Sequence, residues 1–308
     1  MIMKQYRYVK SNAFTSGLSL GNPAACIFMG QEKLSPEQMQ AIAAEHKGFV
    51  MEVVFCGQSE VADCKLTYYS SECEVEFCGH GTIATMYTMV KETPELMAKP
   101  VIKAETNCKG IIDVFNAIED EDAVYITAPD PIEYPMNLSI AQIEDALTLP
   151  HGAIRKDLPI RIIDAGLRTL LVPIADLETE ISVYPNEQSL KTFCLDNDFD
   201  IILIFSKQTA DTSAFAHTRV FAPKFGYLED PATGSGNSAF ANYLLSQGLW
   251  TGEPITIEQG GNDRIFRSAL PLGSSKNSVK LKCQDGKVLF GGKATKKIEG
   301  EYLIEEQR

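Results

Sequence analysis

Glu74-Val-Glu-Phe-Cys-Gly-His-Gly-Thr-Ile-Ala, residues 74 to 84, has a counterpart far downstream: Glu229-Asp-Pro-Ala-Thr-Gly-Ser-Gly-Asn-Ser-Ala, residues 229 to 239. At a constant offset of 155 (229 minus 74), Glu74 falls on Glu229, Cys78 on Thr233, Gly79 on Gly234 and His80 on Ser235. One motif used twice predicts a chain of two halves built alike.

Each copy reads as a turn poor in bulky residues that opens a helix. Thr82 to Val90 and Asn237 to Leu245 both suit a buried helix with no proline inside it. Glycine lets backbone come close to a ligand. The first turn of a helix leaves unpaired N–H groups and a partial positive charge that favour an anion. Two such ends facing each other would grip a carboxylate through Gly79, Gly81, Gly234 and Gly236. The plainer alternative is that these glycines only shape tight turns.

The length of 308 residues allows two domains, and 44% hydrophobic with 22% charged residues is the composition of a soluble globular protein. A net charge of -13 argues against nucleic acid or an anionic membrane as the main partner. The N-terminus lacks a signal-peptide core and no apolar run is of membrane-spanning length, so the cytoplasm is the expected location. Eight cysteines without a Cys-x-x-Cys pair and four histidines without ligand spacing predict neither disulfides nor a zinc site, and no metal.

Along the chain, strands are expected near 5–10 and 24–29, flanking a loop with the turn signal Gly21-Asn22-Pro23. Ser35-Pro36-Glu37-Gln38 starts a helix with an N-cap, a first-turn proline and a capping box, stapled by Leu34 and Met39 and ending near Gly48. His46 is a boundary residue of that helix. Phe49 to Cys56 is an apolar, β-branched run that contains one charge, Glu52. A carboxylate inside a buried strand is costly unless paired or wanted with a raised pKa. Glu52 therefore stands out, the alternative being a solvent-facing position at a strand edge.

Strands near 64–69, 100–105 and 110–115 and a helix over 80–92 complete the first half, residues 1–120, with the last ten or so residues returning to it. The second half, 121–298, is expected to hold strands near 123–127, 160–164, 168–174, 201–205 and 217–223. A helix over 235–247 and strands near 254–258, 264–269, 277–283 and 287–291 follow. Residues 129–160, with five prolines, include the crossover, and Glu119-Asp-Glu-Asp is read as a solvated turn. The run 201–205 matches 50–55 but holds no acid where Glu52 stands.

The ordered signatures Asn12-Ala-Phe-Thr, Gly21-Asn-Pro-Ala-Ala, Phe77-Cys-Gly-His-Gly-Thr, Arg219-Val-Phe-Ala-Pro, Glu229-Asp-Pro-Ala-Thr-Gly-Ser-Gly and Glu258-Gln-Gly span nearly the whole chain. In this the chain resembles the PhzF-like phenazine-biosynthesis family, which shares its fold with diaminopimelate epimerase and proline racemase. The resemblance implies an α+β fold of two pseudo-symmetric lobes, each a barrel-like mixed sheet around a central helix, with the site in the cleft between them and a homodimeric assembly. It further implies a glutamate that moves a proton between carbons of a small carboxylic acid, with no cofactor. That glutamate matches Glu52, in Met51-Glu-Val-Val-Phe where the family usually shows Ser-Glu-Thr-x-Phe. Glu45, on the preceding helix, is the alternative. His80 and Asp230 would join Glu52 in catalysis. Ser235, Asn22 and the glycine amides would bind the substrate.

Cys78 and Thr233 separate the possible reactions. Racemases and epimerases of the superfamily carry cysteine at both positions, as bases on opposite faces of the α-carbon. Threonine offers no thiolate near neutral pH and is a poor second base. A two-base epimerase is thus disfavoured, whereas an isomerase using Glu52 fits. An epimerase or dehydratase working through Cys78, or a carboxylate-binding protein without catalysis, are the alternatives, and Cys78 could equally be a small packing residue.

Overall fold

In a computed structural model of the chain, residues 3–17, 19–261 and 276–305 are described. They run β1 (Met3–Ala13), β2 (Asn22–Gly30), α1 (Pro36–Glu45), β3 (Glu52–Gly57), β4 (Cys64–Ser70), β5 (Glu74–Val75) and α2 (Gly79–Glu92). Next come α3 (Pro94–Met97), β6 (Val101–Thr106), β7 (Gly110–Ala117), α4 (Ile118–Glu121), β8 (Ala123–Thr127), β9 (Ile132–Tyr134), α5 (Ile140–Leu147), β10 (Arg161–Asp164) and β11 (Arg168–Pro173). The remainder is α6 (Leu177–Ser182), α7 (Glu187–Asp196), β12 (Ile201–Ser206), β13 (Ala216–Phe221), β14 (Glu229–Asp230), α8 (Gly234–Ser246), β15 (Ile255–Gln259), β16 (Asn277–Gln284), β17 (Lys287–Gly292) and β18 (Ala294–Glu305). The strand expected near 264–269 lies outside the described residues.

The chain forms two units, Met1–Thr15 with Gly21–Thr127 and Gly291–Arg308, and Ser16–Leu20 with Ala128–Phe290. In the first, β1 pairs antiparallel with β2, β2 parallel with β3, β3 antiparallel with β4, β4 parallel with β6, and β6 antiparallel with β7. The second repeats that order through β10, β11, β12, β13, β15 and β16. The two-residue strands β5 and β14 pair with β4 and β13 and hold equivalent places just before α2 and α8. The repeat legible in two short motifs is thus a repeat of topology, and the fold is the expected mixed α+β one.

Each of those helices is the centre of its unit. α2 touches β1, β2, β3, β8 and β18, while α8 touches β10, β11, β12 and β16. Burial runs nearly all round, from Gly81 through Thr88 in one and from Gly236 through Ala241 in the other, which is why neither sequence shows an amphipathic stripe. At the front of the first unit, Ser35 and Gln38 close the capping box of α1, and Leu34 and Met39 lie buried in one core cluster with Ile42, Val53 and Phe55. His46 lies buried just past α1, between the Ile42 carbonyl at 2.8 Å and the Tyr8 hydroxyl at 3.2 Å.

The units are bounded differently from the sequence reading. β8 pairs antiparallel with β7, so the first unit continues to Thr127 rather than stopping at 120. β18 pairs with β1 from Ala13↔Ala294 to Met3↔Glu305, so the return to the first unit begins at Gly291 and takes more than the last ten residues. Apolar periodicity fixes the two faces of a strand but does not name its neighbour. The acidic stretch after Ala117, expected as a solvated turn, is largely exposed but forms a short helix, α4, closed by Asp122 in the left-handed region at φ 50.

The proline-rich crossover holds α5, which the sequence reading passed over although Ser139 and Gln142 form the same capping box as in α1. From within it, the buried Glu144 carboxylate accepts the Gly152 N–H at 2.7 Å and pairs with His151 at 3.1 Å. Burial alone would raise the Glu144 pKa, but His151 and the amide outweigh it and hold it below the usual range. A depressed carboxyl adds stability above its unfolded value, about 4.3, that is lost as pH falls through the folded value. Urea unfolding should therefore show Glu144→Gln destabilised at pH 7, with its deficit against wild type shrinking steadily below about pH 4.

Candidate active site

The first motif lies where β3 meets the start of α2. Val54 on β3 touches the helix at Gly81, where a Cβ would sit 2.8 Å from Val54 Cγ2 and 2.9 Å from Cys78 Sγ. Residues two apart on a strand share a face. Glu52 therefore points to the same side as Val54, over the N-terminal turn of α2, and is no edge residue facing solvent. Its Oε2 lies 3.2 Å from His80 Nε2 and 3.7 Å from Cys78 Sγ. Cys78 caps the helix, its Sγ accepting the Gly81 N–H at 3.3 Å and lying 3.6 Å from His80 Nδ1. Tyr68 supports this turn from beneath: its hydroxyl is 2.8 Å from Thr82 Oγ1, which donates to the Cys78 carbonyl.

Burial pushes the Cys78 thiol up, against the pull of the His80 charge beside it. For His80, burial works toward a lower value, yet Cys78 and Glu52 outweigh it and raise the imidazole well above its ordinary pKa. Both neighbours favour the protonated ring. With side-chain exposures of 12% and 22%, His80 and Glu52 still open toward solvent. A cation next to a carboxylate that a small molecule can reach is suited to taking up a proton and tolerating the negative charge left behind.

The second motif is held differently. The Thr233 side chain makes no cap, and Gln259 at the end of β15 braces the turn that precedes the helix. Gln259 Oε1 accepts the Thr233 N–H at 3.0 Å and the Asn237 amide at 2.6 Å, while its Nε2 donates to the Asp230 carbonyl at 2.9 Å. Asp230 accepts the Ala232 N–H at 3.2 Å through Oδ1. Ser235 is half-buried in the first turn of α8, against the loop around Gly166, whose Cβ would lie 3.5 Å from Ser235 Cβ. In the sequence Gln259 stands only within Glu258-Gln-Gly, with nothing local to mark its role.

Neither motif's glycines have positive φ, so tight turns do not explain them. Gly234 is required by close packing: a Cβ there would fall 2.2 Å from the Phe290 ring. Gly236 is tight against Ile201, at 3.2 Å. Alanine in a helix gains about 1 kcal/mol over glycine, but overpacking a buried ring costs about 1–3 kcal/mol. Gly234→Ala should thus lower the melting temperature, and Phe290→Leu in the same chain should restore part of the loss.

Of the residues singled out from sequence, Glu52, Cys78 and His80 come together within the first unit, with Gly79 and Gly81 in the same helical turn. Asp230, Thr233, Gly234, Ser235 and Gly236 come together within the second. Asn22 is fully buried at the first position of β2, after Gly21 at φ +69. Glu45 stands apart at the exposed end of α1, where it accepts the Tyr302 hydroxyl, and so is not the cluster's acid.

The model of the family described as phenazine biosynthesis-like protein matches residues 11–300. A Bacillus subtilis protein named uncharacterized isomerase YfhB is 30% identical over 84% of this chain and 87% of its own. A Schizosaccharomyces pombe protein named antisense-enhancing sequence 1 is 28% identical over 98% of this chain and all of its own. Among solved structures, a PhzF-family phenazine biosynthesis protein from Bacillus anthracis superposes with a TM-score of 0.82 at 24% identity, covering 98% of this chain and 100% of that one. No described helix is long and apolar enough to cross a membrane. With the match extending over nearly its whole length, the chain belongs to the phenazine biosynthesis-like family.

Proposed function

We propose that the protein is an isomerase that relocates a proton within a small carboxylic acid. Glu52 takes the proton from one carbon as a carboxylate and returns it to another as the carboxylic acid, so that the molecular formula is unchanged. The negative charge that builds on the substrate is met by the His80 imidazolium, and acid and base are both supplied by the chain, so the step calls for no cofactor. The observation that carries this reading is the contact of Glu52 Oε2 with His80 Nε2 at 3.2 Å, half-buried at the α2 N-terminus. The name isomerase on the Bacillus subtilis relative supports it. For the second unit the proposed role is that Ser235 and the first amides of α8 receive a carboxylate, while Asp230 takes a polar, proton-bearing group.

A second reading is favoured by the 3.6 Å approach of Cys78 Sγ to His80 Nδ1, an arrangement in which the thiol could act as base for an epimerase or dehydratase. The two separate cleanly. Incubation with a panel of amino and hydroxy acids in deuterated water, read by mass spectrometry, should place label at carbon for wild type and for Cys78→Ser but not for Glu52→Gln. The reverse pattern establishes the thiol reaction. Binding of an acid by calorimetry without any label would mean a binding protein.

A further inference from the structure

We infer that Gln259 is the positioning residue of the acid-binding turn: its buried side-chain amide ties Asp230 to the start of α8, and capture of the substrate's carboxylate is governed through it. The inference rests on the binding role proposed for the second unit and names the side chain that sets it.

Gln259 is fully buried at the end of β15, and in the sheet it stands directly between Thr218 of β13 and Asn277 of β16. Residues abreast on neighbouring strands share a face. Three buried polar side chains therefore form one row, and all of them reach the segment that carries the second motif. Asn277 Nδ2 donates to the Pro231 carbonyl at 2.6 Å, and Thr218 Oγ1 donates to Asn237 Oδ1 at 3.4 Å. Between them Gln259 uses its full hydrogen-bonding capacity. Its Oε1 accepts from the Thr233 N–H at 3.0 Å and from Asn237 Nδ2 at 2.6 Å, and its Nε2 donates to the Asp230 carbonyl at 2.9 Å and to Thr233 Oγ1 at 3.2 Å. A flipped amide would set its NH2 against the Thr233 N–H, so these partners also fix which end of the amide faces which way. Shifting Asp230 relative to Thr233 would leave buried polar groups unpaired, which is costly.

The first unit shows what is particular to the second. There too an amide braces the turn, Asn107 Nδ2 donating at 3.1 Å to the carbonyl of Val75, which matches Asp230 at the offset of 155. In that unit, however, Cys78 Sγ caps the helix by accepting the Gly81 N–H. Thr233 gives α8 no such cap, and its hydroxyl accepts from Gln259 instead. Gln259 thus diverts Thr233 from the N–H of Gly236, the counterpart of Gly81, and the substrate's carboxylate takes that place. A neutral amide does this without adding charge, whereas a carboxylate at 259 would set a second anion beside the one to be bound.

The test compares Gln259→Met and Gln259→Glu with wild type, each as the full chain, using deuterium labelling of whichever acid wild type turns over. Gln259→Met is similar in length but has no hydrogen-bonding amide. It should raise KM by about tenfold and leave kcat within about threefold, because the turn governs capture while Glu52 moves the proton. Gln259→Glu keeps the shape. Its KM relative to wild type should climb with pH, since the ionised carboxyl repels both the Asp230 carbonyl and the bound acid. The ratio should return toward unity at lower pH, where the protonated carboxyl donates as the amide did. A side chain that served stability alone would lower the melting temperature and leave KM and its pH profile as in wild type. Wild-type KM in a folded Gln259→Met overturns the positioning role and leaves proton transfer by Glu52 standing. If the methionine variant does not fold, a flat KM ratio for Gln259→Glu from about pH 5 to about pH 9 overturns it equally. Wild type that neither labels nor binds any acid overturns the proposed function and the positioning role together. For an acid bound without label, the same comparison is made on Kd from calorimetry, with the same outcomes.

Discussion

Glu52→Gln is expected to slow proton exchange at substrate carbon by about 10²–10⁴-fold, the usual contribution of a positioned acid–base group. The substitution keeps the volume of the side chain and a polar atom facing His80 Nε2, now at 3.2 Å from the carboxylate, but removes the site that takes up the proton. Folding should be little affected, because the position is half-buried and opens to solvent. Glu52→Asp retains the carboxylate but draws it back by one methylene, and should recover only part of the rate. A 1 Å misplacement can cost about 10²-fold even with the chemistry intact. Measured by label incorporation under single-turnover conditions, a glutamine variant as active as wild type ends the proposed mechanism.

Arg219→Met is expected to cost about 3–5 kcal/mol of stability. Arg219 is fully buried in the second unit and holds Glu229 in a two-point pair, Nε to Oε1 at 3.0 Å and Nη2 to Oε2 at 2.8 Å. Its Nη1 donates to the carbonyls of Glu180 at 2.7 Å and Val183 at 2.8 Å, which close the end of α6. Methionine fills similar volume but strands a buried carboxylate and removes the guanidinium donor from those carbonyls. Lysine keeps the charge without the planar fork, so Arg219→Lys should also be markedly destabilised. Combining Arg219→Met with Glu229→Leu removes both charges and should recover a substantial part of the loss, measured by calorimetry, since an apolar replacement of a buried ion pair is often neutral. If the single variant melts like wild type, the pair carries no such role.

Much of this was open to reading in the residues themselves, for identifiable reasons. The Ser35 box and the Gly48 turn are local hydrogen-bond chemistry, so α1 could be placed closely. The repeated Gly-x-Gly turns marked α2 and α8 because helices buried on all sides must be apolar all round. What local chemistry does not carry is partnership. β8 was assigned to the wrong side of the boundary because Ala123–Thr127 announces a strand without naming β7. The approach of Glu52 to His80 depended on Val54 meeting a helix that begins 25 residues later, at a position where only glycine leaves room. Gln259 was missed because its one amide ties together three residues of the stretch 230–237 from 22 to 29 positions away, a pattern visible only once the chain is folded.

The pairing of β1 with β18 sets a timetable for the chain as it is made. At about 5–20 residues per second, Ala13 leaves the ribosome about 15–60 s before its partner Ala294 exists. During that interval one long edge of the nascent first unit has nothing to zip against, and strands in that state recruit whatever edge is nearest. A chaperone holding the emerging N-terminal half, or a slow final threading of β18, would thus govern the yield of native protein more than the stability of the finished molecule.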